Sequence, residues 1–147
     1  VTKVLYYLFA FGVGLILAVH LAMNADVGQK LGNARAGNAI FWVIGAIVAV
    51  VIWLAGPDRS AVSQISKINP LLLLAGVLGA SLVLATAVII PKIGAGAANV
   101  MLLSGQVIAG ILISHFALWS SPEISITSLK LLGIAIMIGG AYIAVML

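Results

Sequence analysis

A chain of 147 residues that is 64% hydrophobic and 7% charged, with a mean hydropathy of +1.32, carries far fewer charges than the roughly 25% of a soluble domain. Its net charge of +4 comes from seven Lys and Arg against three Asp and Glu, scattered singly over the segment ends, so no patch exists to hold nucleic acid or another polyanion. The absence of cysteine removes disulfides, thiol catalysis and thiolate metal sites at once.

Five apolar runs span residues 4–23, 39–55, 70–90, 95–117 and 131–147. Each reaches or approaches the ~20 residues that cross a hydrocarbon core of ~30 Å as a helix. The runs are continuous, whereas a barrel strand would alternate apolar and polar positions. The expected fold is therefore all-α: a polytopic bundle of five transmembrane helices with short connectors, forming a single transmembrane domain over 1–147. The first run, behind Lys3, is read as a span and not a signal peptide, because it exceeds the ~7 to 15 residues of a signal h-region.

The connectors are expected where glycine, proline and polar residues cluster. Residues 26–38, with Gly28, Lys30, Gly32, Asn33, Arg35, Gly37 and Asn38, should separate the first two helices. A longer polar stretch, from Gly56-Pro57-Asp58-Arg59 to Asn69-Pro70, leads to the third helix. Pro91-Lys92-Ile93-Gly94 should turn the third into the fourth, and Ser120 to Ser128 lies before the fifth, where Ser125, Thr127 or Ser128 can cap the helix. Tyr6, Tyr7, Trp42, Trp53 and Trp119 fall near expected span ends, as an interfacial aromatic belt would place them. Tyr142 lies deeper and reads as a packed or hydrogen-bonded residue. The stretches 31–38 and 93–99 look faintly alike, each ending one helix and opening the next.

Small residues recur at helical spacing: Ala10, Gly14, Ala18 and Ala22, then Gly76 and Ala80, Gly105 and Ala109, Gly140 and Ala144. Such lines allow close backbone approach between membrane helices, which makes Gly14, Ala18, Gly76, Ala80, Gly105 and Gly140 the expected helix-packing positions.

Polar side chains within the spans are the informative minority. His20 and Asn24 lie one turn apart on the first helix, and Asn99 and Gln106 share a face of the fourth, continued by Gly110 and Ser114. The two faces are expected to meet and bind substrate, with His20, Asn24, Asn99 and Gln106 as its ligands. Amides can donate and accept hydrogen bonds without a charge, and an imidazole titrates near neutral pH, which suits His20 to proton coupling. His20 equally fits a neutral residue that only hydrogen-bonds a neighbour. Asp26 and His115 read as hydrated interfacial residues. No carboxylates share a segment and two histidines alone do not hold a metal, so neither an enzyme, a metal site nor a cofactor is expected.

The order His20-x-x-x-Asn24, Pro91-Lys92-Ile93-Gly94-Ala95, Ser104-Gly105-Gln106, Ser114-His115-Phe116, Leu132-Gly133 and Gly139-Gly140 resembles the YdcZ-type branch of the drug/metabolite transporter superfamily. Members are half-size bacterial inner-membrane proteins. Two positions depart from the family's usual pattern: His20 stands where Gln is usual, and Ser114 where Asp is usual. The resemblance implies a secondary transporter or exporter of small molecules, multi-pass in the cytoplasmic membrane. A half-size chain imitates a two-half inverted transporter if it pairs with an upside-down copy, so the expected partners are membrane lipid, a second copy in an antiparallel homodimer, and a small-molecule substrate. A passive pore and a non-transporting scaffold or accessory subunit are the alternatives.

Overall fold

The computed structural model describes residues 2–56 and 60–146. These residues form five α-helices: α1 (Thr2–Lys30), α2 (Ala34–Ala55), α3 (Leu74–Ile93), α4 (Ala95–His115) and α5 (Ser128–Met146). All five, α3 together with the 3₁₀ turn before it, are long and apolar enough to cross a membrane. The chain divides into two compact units, Val1–Lys92 and Ile93–Leu147.

In the first unit, α1 and α2 form a tight helical hairpin. Sequence composition placed a connector at 26–38, but only Leu31, Gly32 and Asn33 lie outside the helices. Helix α1 persists to Lys30 because Asp26 and Lys30 pair at 2.6 Å across one turn, with the cation at the favourable C-terminal end. It stops at Gly32, whose φ of +61° favours glycine. Gly32 N–H donates to Gln29 and Asn33 N–H to Gly28, the Schellman arrangement that satisfies the last carbonyls. Asn33 then caps α2, its side-chain oxygen accepting from Arg35 N–H at 3.0 Å and Ala36 N–H at 3.1 Å.

Gly28 and Gly37 therefore serve packing. A Cβ at Gly37 would lie 2.9 Å from both the amide nitrogen and the Cα of Gly28, so the two backbones touch there. Asn38 Nδ2 donates to the Ala80 carbonyl of α3 at 3.2 Å, and the Trp42 ring lies over Gly79. Because α2 begins at Ala34, Trp42 sits about two turns inside it and packs against α3, away from the expected belt position. On α3, Val83, Thr86, Ala87 and Ile90 form one buried face.

The second connector opens with Pro57, Asp58 and Arg59, which lie outside the described residues. Ser60–Lys67 is a 3₁₀ segment, and Pro70–Leu73 a 3₁₀ turn capped by Asn69, which accepts from Leu71 N–H at 3.0 Å. Pro91 lies within the last turn of α3; the break falls at Gly94, with φ +83°.

In the second unit α4 packs on α5. Helix α4 ends at His115, two residues before the expected end, because Ala117, Trp119 and Ser120 all take the left-handed conformation. The following segment folds back onto α4: Ser114 and Ser121 hydroxyls meet at 3.1 Å, Ile124 N–H donates to the Ser114 carbonyl, and Ile126 N–H to His115 Nδ1 at 3.4 Å. Of the three expected caps Thr127 acts, accepting from Lys130 N–H at 3.3 Å, which starts α5 at Ser128 instead of 131. Tyr142 is exposed, contrary to its expected packed position, and Leu147, the expected end of the last helix, lies outside the described residues.

The Gly28–Gly37 contact yields a prediction. Gly37→Ala should destabilise the detergent-solubilised protein by about 1–3 kcal/mol through overpacking. Gly45→Ala, whose Cβ meets nothing within 4 Å, should be neutral or stabilise by up to about 1 kcal/mol through helix propensity. Thermal unfolding of the two variants compares them directly, and equal effects would contradict the tight crossing.

Candidate functional site

One turn from the Gly28–Gly37 crossing, the facing sides of α1 and α2 carry larger side chains and enclose a cleft of about 240 Å³. Helix α1 contributes His20, Met23, Asn24 and Val27, and α2 contributes Gly37, Ile40, Phe41 and Ile44. The spacing on each strip is that of one helical face, so the hairpin turn at Gly32 sets the register that brings the two together.

Asn24 is only 3% exposed, and neither its Nδ2 nor its Oδ1 has a hydrogen-bond partner. A buried polar group left unpaired costs about 1–3 kcal/mol. Thr86, Ser104 and Asn99 avoid this cost: Thr86 donates to the Val83 carbonyl at 2.8 Å, Ser104 to Val100 at 2.9 Å, and Asn99 Nδ2 to Ala95 at 2.8 Å, while Asn38 pairs its Nδ2 and leaves its Oδ1 unpaired. Asn24 is thus a buried donor and acceptor without a partner at the wall of an apolar cleft. His20 is partly buried one turn away, its imidazole stacked on Phe41 with centroids 5.3 Å apart and planes at 22°. Among the described residues it is the only ionisable side chain lining the cleft.

Of the four substrate ligands expected from sequence, His20 and Asn24 thus share this cleft in the first unit. The other two lie on α4 in the second unit, where Asn99 is occupied by its own helix and Gln106 is exposed. Sequence reasoning missed Phe41 and Gly37. Their four-residue spacing places them on one face, but that signal becomes readable only once α2 is known to begin at Ala34.

The expected packing glycines have open surroundings. Within its own unit, nothing lies within 4 Å of a Cβ at Gly14, Gly76, Gly105 or Gly140. Ala18 and Ala80 are partly buried, and Ala80 offers its carbonyl to Asn38. Gly105 lines an apolar groove of about 460 Å³ between α4 and α5, with Met101, Ile108, Ala141 and Tyr142.

Five apolar helices long enough to span, with a largely apolar cleft within a helical hairpin, define a multi-pass helical membrane protein. The chain belongs to the YdcZ family: its residues 5–143 match the model of the family described as "putative inner membrane exporter, YdcZ". Membership assigns it to exporter-type transport proteins of the inner membrane. No curated protein and no solved structure matches the sequence.

The unpaired amide makes a prediction about stability. Asn24→Leu keeps the branching at Cγ while removing both unpaired atoms, so the solute-free protein should gain up to roughly 1–3 kcal/mol. Thermal unfolding in detergent measures this, and a loss of stability would mean that Asn24 is hydrogen-bonded in the folded protein.

Proposed function

We propose that the chain exports small solutes by alternating access, that the α1–α2 cleft is the solute site, and that the working form is an antiparallel homodimer. The observation that carries the site is Asn24, buried with both polar atoms unpaired in a cleft otherwise lined almost entirely by hydrocarbon and aromatic groups. In a membrane helix such a residue is costly unless it is used. A passing solute that hydrogen-bonds Asn24 recovers the cost while bound and restores it on leaving, which favours turnover over permanent occupancy.

His20 supplies the coupling. Its ring lies one turn from Asn24 and against Phe41, so adding a proton there changes the charge of the cleft through which the solute passes.

The antiparallel arrangement is supported by span number and charge. Five spans put the two ends of residues 2–146 on opposite sides. Lys3, Arg59, Lys67 and Lys130 then fall on one side and Lys30, Arg35 and Lys92 on the other, a near balance that gives the positive-inside rule little to act on. Two oppositely inserted copies would reproduce the inverted repeat on which alternating access is commonly built.

Two outcomes are expected. In proteoliposomes, a solute selected by thermal-shift screening should show saturable counterflow, and His20→Gln should abolish the pH dependence of that flux while leaving the protein folded. Unchanged pH dependence would remove His20 from coupling, and non-saturating conduction would indicate a pore. Separately, C-terminal reporters should be active on both sides of the membrane; activity on one side only, with crosslinks between parallel copies, would contradict the antiparallel dimer.

A further inference from the structure

The cleft also restricts the chemistry of its solute. Taking the α1–α2 cleft as the solute site, we infer that it selects uncharged, largely apolar molecules bearing a carboxamide-like edge, one that gives a hydrogen and takes one side by side.

The requirement comes from Asn24. Its Nδ2 has hydrogens to give and its Oδ1 has lone pairs to fill, and both are buried without a partner. A carboxylate offers acceptors alone, so it serves Nδ2 and sets its lone pairs against those of Oδ1. An ammonium offers donors alone and leaves Nδ2 unmet. A hydroxyl presents both functions through one atom and cannot meet both at good geometry. A carboxamide, lactam or imide edge satisfies the two together.

The rest of the cleft excludes charge for a second reason. Met23, Val27, Ile40, Phe41 and Ile44 give it an apolar wall, and no acidic or basic residue other than His20 lines it. The nearby Asp26 and Lys30 are exposed and paired with each other. A charged solute would shed its hydration with no fixed opposite charge to replace it. Size points the same way: about 240 Å³ lies just below the roughly 300–1,000 Å³ of sites for drug-sized ligands, which fits a solute of one ring or a short branched chain.

Three probes with one ring and different head groups test this: benzamide, benzoate and benzylamine, titrated calorimetrically at neutral pH into the full chain in lipid nanodiscs. Benzamide should bind, with the two charged analogues weaker by about tenfold or more, the lower end expected when one buried polar atom stays unpaired. Asn24→Leu should weaken benzamide by about tenfold or more, because its amide edge loses both partners, and what preference remains over the charged analogues is that of the apolar wall for an uncharged solute. Ile40→Trp, which fills the cleft, should abolish binding of all three. Equal or tighter binding of benzoate or benzylamine, still abolished by Ile40→Trp, would overturn the solute class and leave the cleft as the site. Benzamide binding left unchanged by Asn24→Leu would also overturn the class. Failure of all three probes to bind, or benzamide binding untouched by Ile40→Trp, would overturn the cleft as the solute site and the class with it.

Discussion

Backbone meets backbone where α1 and α2 cross, with no side chain on either glycine to hold Gly28 and Gly37 apart. In lipid, apolar side chains gain little by leaving their surroundings for one another, so helices associate where close packing is possible. This crossing depends on the three-residue turn. Gly32 reverses the chain in a conformation that other residues adopt only with strain, and Asn33 caps the returning helix. The larger residues one turn away, from His20 to Asn24 on α1 and from Ile40 to Ile44 on α2, cannot approach as closely, and the cleft is the space they leave.

Along the helices the polar side chains divide into two kinds. Thr86, Ser104 and Asn99 spend their donors on carbonyls of their own helices, and Asn38 ties α2 to α3 through Ala80. These bonds settle the side chains in hydrocarbon. Asn24 has no such bond, although carbonyls of its own helix lie within a turn. The stacked His20 and Phe41 line the same cleft as this unpaired amide. Family membership assigns the chain to exporters, and the unpaired amide is the observation on which the proposed solute site rests.

Much of this was legible in the sequence. The five spans follow from uninterrupted apolar runs, and the pairing of His20 with Asn24 follows from helical spacing alone. The boundaries were harder, for a physical reason. Glycine is a helix breaker in water, so residues 26–38 read as a connector; in a membrane bundle the same residue lets helices touch, and Gly28 and Gly37 lie inside helices doing so. That shift hid the face that Gly37 shares with Phe41 and moved Trp42 from a membrane interface to a helix contact. The end of α4 was obscured because Ala117 and Trp119 adopt left-handed conformations that their side chains do not advertise. Gln106 gave no sign of being exposed, since a polar residue in an apolar run carries no mark of the direction its helix faces.

The state of the Asn24 side chain is the point on which the account turns, and selective ¹⁵N labelling of asparagine side chains in nanodiscs observes it directly by NMR. Without solute, the Asn24 amide signal should be that of a group lacking a protein partner, and it should shift on adding a transported solute while Asn38 and Asn99 stay fixed. An Asn24 signal already hydrogen-bonded to protein and unmoved by solute would contradict the account.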